Sequence, residues 1–198
     1  MEDQGMRIMG LDLSMKCTGV CFPDDSTALI KPRGDGDRRL LSIEERMTAA
    51  LRVARPQLAV IEDDPGLFRG ASAKVIPMVH ATVRLVLMRS GVPFVLVNTK
   101  TLKLYATGHG GADKASMAVA ALTYAGREFT GDKGGDQCDA WWLRAAGHAA
   151  YGEPVVRVPK ANMDALREVA WPTLPGAPAP VFAPPPAKQT RRRRRVAA

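Results

Sequence analysis

The stretch GLDLSMKCTGVC, Gly10 to Cys21, decides how the rest of the chain is read. Residues 6–14, MRIMGLDLS, have the apolar run of a first strand, and Thr18 to Phe22 form a second. Asp12 falls inside the first of them. Strand interiors disfavour Asp, and burying an unpaired carboxylate is costly, so such groups are paired, protonated or metal-bound. Asp12 therefore asks for partners from elsewhere in the chain.

Outward from this hairpin, Pro23, Asp24 and Asp25 supply turn chemistry before a short third strand around Ala28 to Lys31. In DGDRRLLSIEERMTAALRVARP the period changes. Leu40, Ile43, Met47, Ala50, Leu51 and Ala54 recur at helical spacing, and Pro56 ends the helix. LAVIEDDPG predicts a fourth strand that stops at a turn. Ser72 to Ser90 predicts a long helix with Val75, Val79, Val83, Val86 and Leu87 on one face, capped by Gly91. VPFVLVN is a fifth strand, and helices follow at Thr101 to Ala106, Asp113 to Tyr124 and Asp136 to Tyr151. Adjacent early strands make an antiparallel meander, and the later alternation of strand and helix adds parallel strands. The expected fold is a mixed five-stranded α/β sheet with helices on both faces.

Residues 1–160 are expected to hold this domain. Residues 161–187 form an extension, within which residues 172–187 contain seven prolines and no charge and read as a stiff extended linker. Residues 188–198 form a basic tail. Lys188 and Arg191 to Arg195 leave the body with 22 basic against 20 acidic residues, a net charge of only +2 out of the total +8. A terminal cationic run of this kind meets polyanions, most often nucleic acid, or simply solubilises the chain. No apolar run approaches the ~20 residues of a membrane helix, and MEDQGM is acidic where a secretory leader is basic. Cys17, Cys21 and Cys138 lack metal-type spacing. The expectation is a cytoplasmic protein with reduced thiols.

Further acids fall where Asp12 could meet them. Alternation along LAVIED points Val60 and Glu62 to one side and Ile61 and Asp63 to the other. Asp136 and Asp139 are three apart at a helix start and share a face. Gathered carboxylates repel one another unless a cation joins them, and oxygen-rich clusters select hard ions such as Mg²⁺ or Mn²⁺. Two such ions ~4 Å apart can activate a water and stabilise the leaving oxygen of a phosphodiester. Asp136 also fits a helix N-cap and Asp139 a first-turn acid facing the helix dipole, while Asp63 and Asp64 read as turn residues before Pro65. His148 lies nine residues past Asp139, ~13 Å along the same helix, and reads as a packing or surface histidine. His109 sits in the glycine-rich TGHGGADK, and His80 has no assigned role.

Four pieces in this order, GLDLSMKCTGV, AVIED, KLYATGHGGADK and DQCDAWWLRAAGHA, resemble the RuvC family of Holliday junction resolvases, over about residues 7 to 151. The wording around DAWWLRAAG looks especially like that of the phage-type RuvC-like members. The resemblance implies a ribonuclease-H-like fold and a homodimer acting on branched DNA, especially four-way junctions. It further implies a Mg²⁺-dependent endonuclease, with Mn²⁺ able to substitute and two ions per site. Asp12, Glu62, Asp136 and Asp139 would be the metal ligands. Lys114 would sit near the scissile phosphate and Lys103 on the DNA backbone, as the two lysines eleven residues apart in the family's segment. Phe68 would stand for the family's stacking aromatic, in a longer loop, with Arg69 or Lys74 on phosphates. Arg191, Arg192, Arg193, Arg194 and Arg195 would add sequence-independent phosphate affinity.

Two other readings use the same residues. A module of this fold can bind branched DNA without cutting it. GLDLSMKCTG is also similar to the first phosphate loop of actin-like kinases and ATPases, a reading that requires a second, duplicated domain.

Overall fold

The computed structural model describes residues 5–63 and 72–182, with backbone only for residues 72–74. The expected elements are present: β1 (Ile8–Asp12), β2 (Thr18–Cys21), β3 (Thr27–Ile30), α1 (Arg38–Ala54), β4 (Leu58–Glu62), α2 (Ser72–Arg89), β5 (Phe94–Val97), α3 (Thr99–Thr107), α4 (Lys114–Ala125) and α5 (Asp136–Ala150); a short α6 (Lys160–Asp164) that the sequence reading did not include follows them. The sheet order is β3-β2-β1-β4-β5. β1–β2 and β2–β3 pair antiparallel, while β1–β4 and β4–β5 pair parallel. This is the mixed five-stranded sheet that the strand and helix order predicts.

Period-two alternation divides the core into two layers. Met9, Leu11, Val20, Ala59 and Ile61 face α1 and α2, where Ile43, Met47, Leu51, Val79, Val83 and Leu87 meet them. Ile8, Cys21, Leu58 and Val60 face the other way, against Ala140, Leu143, Ala146 and the Trp141–Trp142 pair of α5, with α3 and α4 outside. Each fully buried large aliphatic side chain here contributes roughly 1.5–3 kcal/mol. All residues of α5 from Cys138 to Ala150 are buried, so it is the central helix of its layer rather than a surface helix.

Helix α5 approaches β1 and β2 closely because glycine stands where a side chain would not fit. A Cβ on Gly10 would lie 1.9 Å from the Ala140 carbonyl oxygen, and one on Gly19 would lie 1.9 Å from that of Asp136. Gly147 lets the far end of the helix settle onto Ile8 and Val60 in the same way. Asp25, in the β2–β3 turn at φ 71°, ties the helix down. Its carboxylate accepts from Trp141 Nε1 at 2.9 Å, Arg144 at 2.8 Å and Arg127 at 2.8 Å.

Two expectations change. β1 ends at Asp12 rather than running to residue 14, so Asp12 is a strand terminus and not a strand interior. The chain turns there because Thr18 Oγ1 accepts from the Ser14 N–H and donates to the Ser14 carbonyl. The described part of the proline-rich stretch, residues 172–182, touches the core at two points. Val169, Trp171, Leu174 and Phe182 are buried with Tyr151, whose hydroxyl donates to the Pro172 carbonyl at 2.6 Å. Over residues 172–182 this charge-free, proline-rich segment is anchored to the core at Leu174 and Phe182 and exposed over most of the positions between them. No helix among the described residues is long and apolar enough to cross a membrane.

Candidate active site

Leu11 pairs with Ile61 across the parallel β1–β4 junction, so Asp12 and Glu62 are the next residues on adjacent strands. Both continue the parity of Ile8, Gly10, Leu58 and Val60, and so both side chains lie on the α5 face. The close seat of α5 on Gly10 and Gly19 then brings Asp139, on the first turn of that helix, over the same strand ends. Carboxylate oxygens of Asp12, Glu62 and Asp139 all lie within 4.8 Å of one another. Asp12 and Glu62 are half-buried and Asp139 is buried.

Asp136 stands one step outside this trio. Its Oδ1 accepts from Lys114 Nζ at 3.1 Å, and the same ammonium lies 3.6 Å from Asp139 Oδ2. Lys114 opens α4, whose N-cap is Asp113, with Oδ1 accepting from the Ser116 N–H at 2.8 Å. The reading of Asp136 as a helix N-cap does not hold. Gly135 occupies that position, and Asp132 Oδ2 accepts from the N–H groups of Gln137 and Cys138 at 3.0 Å each. With Asp132 doing the capping, the Asp136 carboxylate is left to face the cavity.

The trio is electrostatically unsatisfied. Burial first, then the charges of Glu62 and Asp139, hold the Asp12 carboxyl well above its ordinary pKa. Burial and Glu62 push Asp139 up to about 7, against the lowering effect of Lys114. Burial opposes the charge on Lys114, but the Asp136 hydrogen bond and the charges of Asp139 and Asp12 outweigh it and raise its pKa. Three carboxyls with oxygens within 4.8 Å of one another on one cavity are a fitting donor set for a hard divalent cation.

These groups line a cavity of about 490 Å³, whose wall also includes Lys103, Thr99, Asp63 and His80. The structure thus brings together Asp12, Glu62, Asp136, Asp139, Lys103 and Lys114. Phe68, Arg69, the side chain of Lys74 and Arg191 to Arg195 lie outside the described residues. His148 is buried at the far end of α5, where burial, then Arg144, lower its pKa to about 4. His80 and Asp63 were not expected in the wall. The signal for His80 is its i, i+4 relation to Ile76, which lines the same cavity.

The chain has the RuvC-like, ribonuclease-H-like fold. Among solved structures it is similar to RuvC of Thermus thermophilus in complex with a Holliday junction substrate, with a TM-score of 0.63 and 18% identity. That match covers 77% of this chain and 99% of the RuvC chain. A second Thermus thermophilus RuvC structure gives a TM-score of 0.56, also at 18% identity, over 77% of this chain and 100% of the other. The yeast mitochondrial Holliday junction resolvase Ydc2 aligns more loosely, with a TM-score of 0.46 and 13% identity over 81% and 78%. No protein-family model matches the chain, and neither does any curated protein.

Proposed function

We propose that this protein is a metal-dependent, structure-selective DNA endonuclease that resolves four-way or otherwise branched junctions by paired, symmetrical phosphodiester hydrolysis. The observation that carries the reading is the convergence of Asp12, Glu62 and Asp139 within 4.8 Å at the strand ends of this fold. The Thermus thermophilus RuvC that it resembles in fold binds a Holliday junction.

Asp12, Glu62 and Asp139 would hold Mg²⁺, or Mn²⁺ in its place, with Asp136 at the edge of a two-ion site. Such ions supply Lewis-acid stabilisation of phosphate oxygens and a lowered pKa for bound water. The chain's own residues orient the substrate. Lys114, kept charged by Asp136 and Asp139, stands ready for the negative charge that grows on the phosphate during in-line attack. Lys103, in the same wall, would bear on the DNA backbone. Phe68 as a wedge, Arg69 and Lys74 on phosphates, and Arg191 to Arg195 as a polyanion-binding tail complete the proposal. Two nicks on symmetry-related strands require two sites, so the working form is a homodimer, phage-type and acting in a bacterial cytoplasm.

The test is cleavage of a synthetic mobile four-way junction and a matched linear duplex in Mg²⁺ or Mn²⁺, for wild type and Asp12→Asn. Symmetrical nicks confined to the junction and abolished by the substitution, with binding retained, are expected. Binding without cleavage by wild type would make this a branched-DNA-binding module. Equal cutting of both substrates would remove the junction selectivity.

A further inference from the structure

The acidic cavity does not end at the carboxylates. Ser14 and Ile76 line it and also line a second groove of about 530 Å³, which runs away between the β1–β2 turn, the start of α1 and the first turns of α2. The second groove differs in character from the first. Its walls are largely apolar, from Met15, Ile76 and Met78, and its charges are chiefly cationic, from Lys16 and Arg39. Asp37 is the only acid lining it among the described residues.

Neither cation is paired with a carboxylate among the described residues. Arg39 is partly held, because its Nε donates to the Gly34 carbonyl at 3.2 Å. Lys16 is exposed on the turn that the Ser14–Thr18 hydrogen bonds fix. The groove thus holds two cations, one on the β1–β2 turn and one on α1, together with aliphatic and thioether surface. A duplex presents phosphates to such a surface but keeps its base faces stacked inside. An unpaired strand presents both, phosphates to cations and base faces to apolar side chains.

We infer that this groove is the track for an unpaired substrate strand entering or leaving the acidic site, with Lys16 and Arg39 on its phosphates and Met15, Ile76 and Met78 against its bases. The inference rests on the nuclease reading for its substrate class. It adds a specificity element outside the carboxylate site, because only DNA that offers an unpaired segment beside the cleavage position fills both cavities. A perfect linear duplex fills one.

The experiment measures binding by the full chain, with Ca²⁺ in place of Mg²⁺, to an oligothymidine single strand, a four-way junction and a linear duplex. Wild type is compared with Lys16→Ala plus Arg39→Ala, and with Met15→Ala plus Met78→Ala; thermal melts check that both pairs fold. The charge pair is expected to weaken single-strand and junction binding about tenfold, and to lower the slope of log Kd against log salt by about 1.4, or ~0.7 per contact. Duplex binding should stay within about twofold. The methionine pair should weaken single-strand binding with an unchanged salt slope. Unchanged single-strand affinity and slope in the charge pair would overturn the inference, as would an equal loss on all three substrates. Failure of wild type to bind or cut any junction would instead strike the nuclease reading, which the single-strand comparison leaves separate.

Discussion

Asp139 shows the conflict that the site is built on. Its carboxyl titrates at about 7 in the fold and near 3.8 in the unfolded chain, because burial and Glu62 penalise its charge. A carboxyl raised in this way makes the metal-free fold more stable as pH falls through 7 toward 4, and less stable above. Asp139→Asn removes the penalised charge. In EDTA at pH 8 it should stabilise the protein by on the order of 1–3 kcal/mol, an advantage that fades by pH 5. The same variant should lose cleavage. Parallel urea melts of wild type and variant at the two pH values check this, and a variant no more stable at pH 8 would contradict it. A second residue-scale prediction concerns Asp25, which holds the buried Arg144 guanidinium. Asp25→Ala should cost about 2–3 kcal/mol, below the usual figure for a buried pair because the aspartate is 42% exposed. Denaturant midpoints test it.

At the scale of elements, α5 and the β1–β2 hairpin act as one device. Gly19 lies opposite Asp12 on the paired strand and beneath the Asp136 carbonyl on the helix above. Gly19→Ala has to lift the first turn of α5, which carries Asp139. We expect a destabilisation of about 1–3 kcal/mol and a loss of metal-dependent cleavage larger than that instability explains, since a shift of about 1 Å costs on the order of a hundredfold. Titrating the metal requirement at a temperature where the variant is fully folded separates the two effects. Much of this device was legible: the strand parity of Asp12 and Glu62 and the three-residue spacing of Asp136 and Asp139 follow from periodicity alone. The helix cap was not. Asp132 lies four residues before the helix and was indistinguishable from any loop acid until its Oδ2 met two backbone N–H groups.

At the scale of the whole molecule, the C-terminal third divides into a packed part and a basic tail. Truncation after Tyr151 would expose the surface that Trp171, Leu174 and Phe182 cover. It should lower the melting temperature by at least several degrees, whereas truncation after Ala187 should leave melting unchanged. The shorter deletion should still weaken binding to all DNA and flatten its salt dependence, because it removes Lys188 and Arg191 to Arg195. Salt dependence equal to that of the full chain would refute the tail's role.

Local pattern by itself determined the order and type of the elements and the two-sided sheet, and it drew notice to Asp12, Glu62, Asp136 and Asp139, because apolar periodicity is written residue by residue. Only the tertiary structure decided which of those acids meet. The 4.8 Å trio and Asp136 standing aside on Lys114 both depend on how far α5 descends onto two glycines. That distance is set by contacts between residues more than a hundred positions apart, and no local pattern encodes it. The fate of residues 172–182 has the same origin. Proline content predicts their extension, but whether an extended segment is solvated or buried depends on an apolar surface that exists only once the rest has folded.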